Sequence, residues 1–351
     1  MDINRNDIAL LERLCNEYGP SSHEISVQRL IATEVGKTGL SVQGDNIGNL
    51  YASYSGFSGA TPHIGIIAHA DEIAMQVTHL DDKGMLRFRK IGGLRATSLP
   101  GHRVSVLTEA GVIDGVIGND PMQDNGTETG IMLKTSDLWI DTFGNADKVE
   151  VGDFVVFRPC FSQVNEHTVV SKALDDRAGI WVMLNVLRMI AGSATPVCVT
   201  GISTVQEEIN LRGAHAIYVP LDVAIVVDVN FTSDHSTDHP EWGNLELGKG
   251  PGICRSADTN PILRQIAEKV AKEHDIPLQV TVGRNMSGGT DAGRLAERPG
   301  CASINIDIPL RYMHTHSEVI DLRDLKRTAD LVYGIVSHIA SNEITSFVPW
   351  Q

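Results

Sequence analysis

Cysteine is sparse and unpatterned in this chain of 351 residues: Cys15, Cys160, Cys198, Cys254 and Cys301 contain no Cys-x-x-Cys spacing. An odd, scattered set argues against a disulfide framework and against a thiolate zinc site, and such thiols are expected mostly as small buried apolar side chains. No apolar run reaches the roughly 18 residues of a membrane span. The opening Met1-Asp-Ile-Asn-Arg-Asn-Asp7 lacks the charged-then-apolar signature of a signal peptide, so a cytoplasmic location is expected. Basic residues are also short: 29 Lys and Arg face 44 Asp and Glu, a net charge of -15. That balance argues against nucleic acid or an anionic membrane as the main partner, although a pocket could still be locally basic. Aromatic residues make up only 5%, which is thin for the stacking platforms of a sugar-cleaving enzyme. There is no internal repeat and no low-complexity tract.

What is present fits an ordinary globular protein, 42% hydrophobic and 21% charged. The length suggests two domains, or one large domain carrying an insertion. Ile8, Leu11 and Leu14 mark a first helix that stops at Gly19-Pro20, and Leu30, Ile31 and Val35 mark a second. Ile47 to Tyr54 and His63 to Ala68 read as strands, the second apolar enough to be buried on both faces of a sheet. From residue 74 to 165 helix signals nearly vanish. Short alternating runs take over at Met75 to Thr78, Leu86 to Phe88, Val104 to Leu107, Val112 to Ile117 and Phe154 to Phe157. This stretch is expected to be an inserted small all-β barrel or sandwich.

Alternation then resumes. Helices are expected at Asp176 to Ile190, Arg212 to Tyr218, Ile262 to Lys272 and Leu322 to Ile339. Strands are expected at Val197 to Val205, Val223 to Val229, Leu278 to Val282 and Ala302 to Ile306. The expected fold is therefore α/β: a mixed, largely parallel sheet flanked by helices, with residues 1–73 and 166–351 forming one discontinuous domain around the insertion.

In open α/β sheets, sites gather beyond the carboxyl ends of strands. Five places put polar side chains there: His69 after its strand; Asp175 and Asp176 at a helix start; Glu207 and Glu208; Asp228; and His314. Each has an ordinary reading, as a satisfied polar residue, a helix cap, turn chemistry or a solvated charge pair. Together they offer two imidazoles and several carboxylates, the donor set of a two-ion hydrolase in which one carboxylate bridges ions roughly 3.5 Å apart. An adjacent Glu pair suits a division into one ligand and one unliganded general base. Asp71, two residues after His69, is expected to accept the second imidazole N–H and so orient the ring.

Six segments in register strengthen this reading: His69-Ala-Asp-Glu-Ile73, Lys172-Ala-Leu-Asp-Asp-Arg-Ala-Gly179, Val205-Gln-Glu-Glu208, Val227-Asp-Val229, Gly288-Gly-Thr-Asp-Ala-Gly293 and Arg311-Tyr-Met-His314. With Leu99-Pro-Gly-His-Arg-Val104 and Gly115-Val-Ile-Gly118, the chain resembles the TET or glutamyl-aminopeptidase family of dinuclear metalloaminopeptidases along essentially its whole length. The resemblance implies that Asp175 bridges two divalent ions, Zn²⁺ or alternatively Co²⁺ or Mn²⁺. His69 and Asp228 would complete one ion's shell, and Glu208 and His314 the other's. Glu207 would be the general base for attack of water on a peptide carbonyl, with Asp71 supporting His69. It further implies a zinc-peptidase-like fold, peptide substrates, dimerisation through the segment 74–165, and often a tetrahedral dodecamer.

Several positions stay open. His235 and His239 could add metal contacts or belong to a polar surface loop, and His316 is a rival ligand to His314. Lys249, Arg255 and the Met286 to Asp291 loop are weaker candidates. Gly288-Gly289 suits close approach to a ligand or a tight turn, and Asp291 either faces substrate or caps the next helix. The rival reactions are a metal-dependent deacylase or amidohydrolase and a glycoside hydrolase; the last leaves His69 and His314 idle.

Overall fold

A computed structural model describes residues 3–55, 62–120, 133–193, 195–234, 244–282, 289–342 and 344–350. The chain opens with α1 (Arg5–Asn16), α2 (Ile25–Gly36), β1 (Ser41–Gly44), β2 (Leu50–Ser55) and β3 (His63–His69). It continues with β4 (Ala74–Leu80), β5 (Leu86–Ile91), β6 (Arg103–Thr108), β7 (Gly111–Asn119), β8 (Leu138–Asp141) and β9 (Phe154–Phe157). Next come β10 (Ser162–Gln163), β11 (Thr168–Ser171), α3 (Leu174–Ser193), β12 (Cys198–Thr204), α4 (Arg212–Ala216) and β13 (Val223–Phe231). The last part holds β14 (Gly252–Cys254), α5 (Pro261–Glu273), β15 (Gln279–Thr281), α6 (Asp291–Ala296), β16 (Ala302–Leu310), β17 (Glu318–Asp321) and α7 (Leu322–Ser341).

The near-continuous apolar runs become the centre of an eight-stranded sheet in the order β1-β2-β12-β3-β13-β16-β14-β15. Its middle is parallel, β12 to β3 to β13 to β16, and antiparallel pairings flank it. Every residue of β16 is buried, and all but the ends of β3, β12 and β13 are too, as expected for strands covered on both faces. One face packs against α1, α2, α3, α5 and α7 through Leu11, Ile31, Trp181 and Val332. On the other, Ile67 and Ile202 of the sheet pack with Ala292 and Leu295 of α6. The fold is thus the expected mixed α/β sheet between helical layers.

Strands β4 to β9 close a six-stranded antiparallel barrel in the order β4-β5-β8-β7-β6-β9. It has its own core of Met75, Leu86, Val104, Ile140 and Phe157. A third, small sheet joins β10, β11 and β17.

Where the structure differs from the sequence expectation, local chemistry explains it. The strand expected from Ile47 starts at Leu50, because the Asp45 carboxylate accepts the backbone N–H groups of Ile47, Gly48 and Asn49 and holds a turn. The strand expected to end at Ile306 runs to Leu310, past Pro309. The antiparallel neighbour β14 reaches only Asp307, so the missing proline N–H interrupts no ladder on that side. Of the five cysteines, Cys15 and Cys254 are buried while Cys160, Cys198 and Cys301 are only half-buried, so buried packing describes fewer of them than expected.

Candidate active site

The parallel register brings the carboxyl ends of three strands together, pairing Thr204 with His69 and Val226 with Ile67. From that edge project His69 at the end of β3, Glu207 and Glu208 just past β12, and Asp228 within β13. Asp175 comes from the first turn of α3, and His314 from the loop between β16 and β17. All six line one cavity of about 580 Å³.

Asp175 sits between the two imidazoles. Its Oδ1 lies 3.1 Å from His69 Nε2 and its Oδ2 3.2 Å from His314 Nε2. His69 Nε2 is also 3.9 Å from both Asp228 Oδ1 and Glu207 Oε2, while His314 Nε2 is 3.4 Å from Glu208 Oε1. Two groups result, His69 with Glu207 and Asp228, and Asp175 with Glu208 and His314. Within each, one ligand atom per residue lies within 4.8 Å of the others.

This donor set fits divalent cations. Imidazole nitrogen and carboxylate oxygen suit Zn²⁺ and its neighbours, and Glu208 Oε1 is buried without a hydrogen bond. Charge balance points the same way, since buried carboxylates here outnumber the imidazoles. Burial first, then neighbouring acids, raises Glu208 to about 8 and Asp228 to about 7, and lifts Glu207 well above the carboxylate range. Burial alone would lower His314; its hydrogen bond to Asp175 and the Glu208 charge overcome this and raise it to about 10. His69 is likewise raised, by Glu207 and Asp175 acting against burial. Bound cations would replace these retained protons.

The backbone around these six residues is held by carboxylates. Asp71 accepts the N–H of Glu207 at 2.9 Å and of Glu208 at 3.2 Å, and the hydroxyl of Ser21 at 2.6 Å. Its Oδ1 is 3.5 Å from His69 Nδ1, whereas its carbonyl oxygen is closer at 3.2 Å. Asp71 thus meets His69 Nδ1 with both its carboxylate and its carbonyl oxygen, and the same carboxylate grips the Glu pair. Glu24 adds a grip on Gln206 N–H at 3.1 Å. Gln206 and His314 both take left-handed φ, at 57° and 63°, a conformation that needs such support.

Behind the cavity, Lys172 places Nζ 2.8 Å from both Glu72 oxygens, and Arg177 donates to the Ala70 carbonyl at 2.8 Å. These fully buried groups tie the His69 to Glu72 segment to the start of α3. Asp176 does not line the cavity. It caps α3 by accepting Gly179 N–H at 2.9 Å, across a cis peptide bond from Asp175. A Cβ on Gly179 would meet that carboxylate at 2.3 Å, which accounts for glycine in the Lys172 to Gly179 segment.

Other candidates fall elsewhere. His316 is not among the residues lining the cavity and packs its ring 5.0 Å from His102 and 5.6 Å from Phe157 of the barrel. The cap of α6 is Thr290 rather than Asp291. Asp291 is buried and accepts a hydrogen bond from Thr204 at 2.6 Å. His235, His239 and Gly288 lie outside the described residues. Lys249 and Arg255 do not line the cavity, and Arg255 pairs with Glu268 at 2.7 Å.

The sequence reading passed over Glu24, Glu318 and the pair Gly92-Gly93 at the exit of β5. A Cβ on Gly93 would lie 2.2 Å from His314 Nδ1, and one on Gly92 3.0 Å from Glu208 Oε2. The barrel thus forms one wall of the site, and two consecutive glycines were the only sequence signal for it.

Comparison with known proteins gives concordant results. The family described as M42 glutamyl aminopeptidase matches residues 48–331. A lysyl aminopeptidase of Pyrococcus furiosus is 30% identical over 97% of this chain and 99% of its own. A TET aminopeptidase structure from a marine sediment Thaumarchaeota archaeon superposes with TM-score 0.89 at 30% identity, covering 98% of this chain and 100% of that one. The TET1 peptidase of Pyrococcus horikoshii, described as assembling into a tetrahedron or a large octahedral shell, superposes with TM-score 0.82. It is 31% identical, covering 94% of this chain and 99% of that one.

Proposed function

Because this chain belongs to the M42 glutamyl aminopeptidase family and is a peptide-bond hydrolase, we propose that it removes N-terminal residues from peptides at a centre for two divalent ions. The observation that carries the proposal is the Asp175 carboxylate, with one oxygen facing His69 and the other His314. His69 and Asp228 are assigned to one ion, Glu208 and His314 to the other, and Asp175 to both. Ions bound there, Zn²⁺ or alternatively Co²⁺ or Mn²⁺, supply Lewis acidity toward the scissile carbonyl and lower the pKa of water.

Glu207 is assigned the proton transfers. Buried beside Asp228 and Asp291, it is a stronger base than an exposed carboxylate. It takes a proton from the attacking water and returns it to the leaving amine. Asp71 holds Glu207 and Glu208 by their backbone amides, so the two adjacent side chains keep different positions and separate tasks.

The segment 74–165 is assigned to self-association, first as a dimer. A tetrahedral dodecamer is the proposed end point, by analogy with the relative that can assemble into a tetrahedron and with a related TET1 structure described as a dodecamer. The test is a panel of aminoacyl chromogenic substrates, with free and with acetylated N-termini, assayed on metal-free protein reconstituted with Zn²⁺, Co²⁺ or Mn²⁺. Hydrolysis confined to free N-termini and dependent on metal supports the proposal. Preference for acetylated substrates would replace it with a deacylase, and hydrolysis that survives exhaustive chelation would remove the metals from it.

A further inference from the structure

We infer that Glu318 is a positioning residue that sets the spacing between Asp175 and His314 across the proposed two-ion centre. The inference rests on the site assignment above and extends it to a residue that faces no substrate. Glu318 opens β17, where it pairs with Ser171 at the end of β11. That register places its carboxylate beside the segment leading from Lys172 into α3. On its other side the chain returns from β16 through a loop closed by reciprocal backbone hydrogen bonds between Arg311 and Val319, at 3.0 and 3.1 Å. Glu318 is therefore fixed at the junction of the two segments that deliver Asp175 and His314.

Its two oxygens divide between them. Oε2 accepts the backbone N–H of Asp175 at 3.1 Å, and Oε1 accepts that of His314 at 2.9 Å. The side chain is 1% exposed, so water does not compete for either bond. Asp71 makes the same two-amide arrangement under Glu207 and Glu208. The four residues of the Asp175 side and the Glu pair thus hang on two buried carboxylates. Glu318 is the one that spans two segments far apart in sequence, and it holds in place a loop whose His314 has left-handed φ.

A glutamine at 318 has nearly the same shape but only one carbonyl oxygen. Its amide group would set N–H against N–H at either Asp175 or His314, and that residue would shift. Partners behind metal ligands are typically worth about 10- to 100-fold in metal affinity.

The experiment titrates metal-free wild type, Glu318→Gln and Val169→Ala with Co²⁺, reading visible absorption and bound metal per chain. Val169 is buried in β11 of the same small sheet; its truncation lowers stability without touching a ligand backbone. The expected result is two ions on wild type and on Val169→Ala at equal affinity. Glu318→Gln should bind the ion assigned to Asp175, Glu208 and His314 about 10- to 100-fold more weakly. Should Glu318→Gln fail to fold, Glu318→Asp, which withdraws the carboxylate by one methylene, carries the same expectation. Two ions bound at wild-type affinity by the Glu318 variant would overturn the inference while leaving the centre intact. So would an equal loss of affinity in Val169→Ala at a matched loss of Tm. Failure of wild type to bind Co²⁺ would overturn the centre itself.

Discussion

Placing a methyl group at Gly93 perturbs His314 from outside its own loop. A Cβ at this position would stand 2.2 Å from His314 Nδ1 and 2.6 Å from Cε1, whereas ordinary contact begins at 3.4 Å. The imidazole must therefore retreat by about 1.2 Å, a displacement on the scale that costs roughly 10²-fold in rate, or about 2.7 kcal/mol of transition-state stabilisation. Gly93 is exposed and its φ is not in the left-handed region, whereas Gly92 has φ of 78° and meets Ile73 at 2.8 Å as well as Glu208. Gly93→Ala should therefore leave Tm near that of wild type, and Gly92→Ala should lower it through backbone strain and the clash with Ile73. The assay pairs steady-state kinetics on a free aminoacyl substrate with metal content per chain. A Gly93→Ala protein with wild-type kcat and wild-type metal affinity would refute the placement of His314 against the barrel wall, and with it the ligand role built on that placement.

Three further outcomes follow from the same geometry. Glu207→Gln should keep both metal ions yet lose about 10²-fold or more in kcat, as expected on removing a general base; near wild-type turnover with metal content confirmed would end that assignment. Metal-free protein should become less stable as pH rises from about 5 to about 8. Glu208, raised to about 8, and Asp228, raised to about 7, keep protons in the folded state that an unfolded chain releases near its ordinary carboxylate pKa. His314, raised to about 10, acts in the same direction above its unfolded value; thermal melts showing a higher metal-free Tm at pH 8 than at pH 5 would contradict this. Conversely, apparent affinity for Zn²⁺ should increase over that pH range, because the ligands must lose protons to bind; competition titrations that find a flat or falling affinity would count against carboxylate ligation.

Much of the fold was legible because its central strands are long apolar runs. His63 to Ala68 and Val223 to Val227 allow few assignments other than strands covered on both faces, and polar residues ending such runs mark the usual place of a site. His69, Asp175, Glu207, Glu208, Asp228 and His314 indeed meet at one cavity. What escaped the sequence depends on contacts between distant segments. The opening residue of β17, Glu318, sits in a four-residue strand too short to carry a periodic signal, and its partners lie in two other segments. Gly92-Gly93 carries no distinguishing mark in the sequence, and its meaning comes from the approach of the barrel to His314 and Glu208. The spacing of Asp71 from His69 points to their contact, but nothing in the sequence shows that the same carboxylate also holds the Glu207 and Glu208 amides. His316 shows the reverse case: spacing suggested a ligand, and packing against His102 and Phe157 turns it toward the barrel.

The central claim is that Asp175 joins two ions into one hydrolytic centre, and a Zn²⁺ titration of metal-free wild type and Asp175→Asn tests it most directly. Bound metal and hydrolysis of a free aminoacyl substrate are read on the same samples. Wild type should take up two ions per chain and gain activity with them, while Asp175→Asn should lose metal and turnover together. Two ions and full turnover in Asp175→Asn, or full turnover in metal-free wild type, would contradict the account.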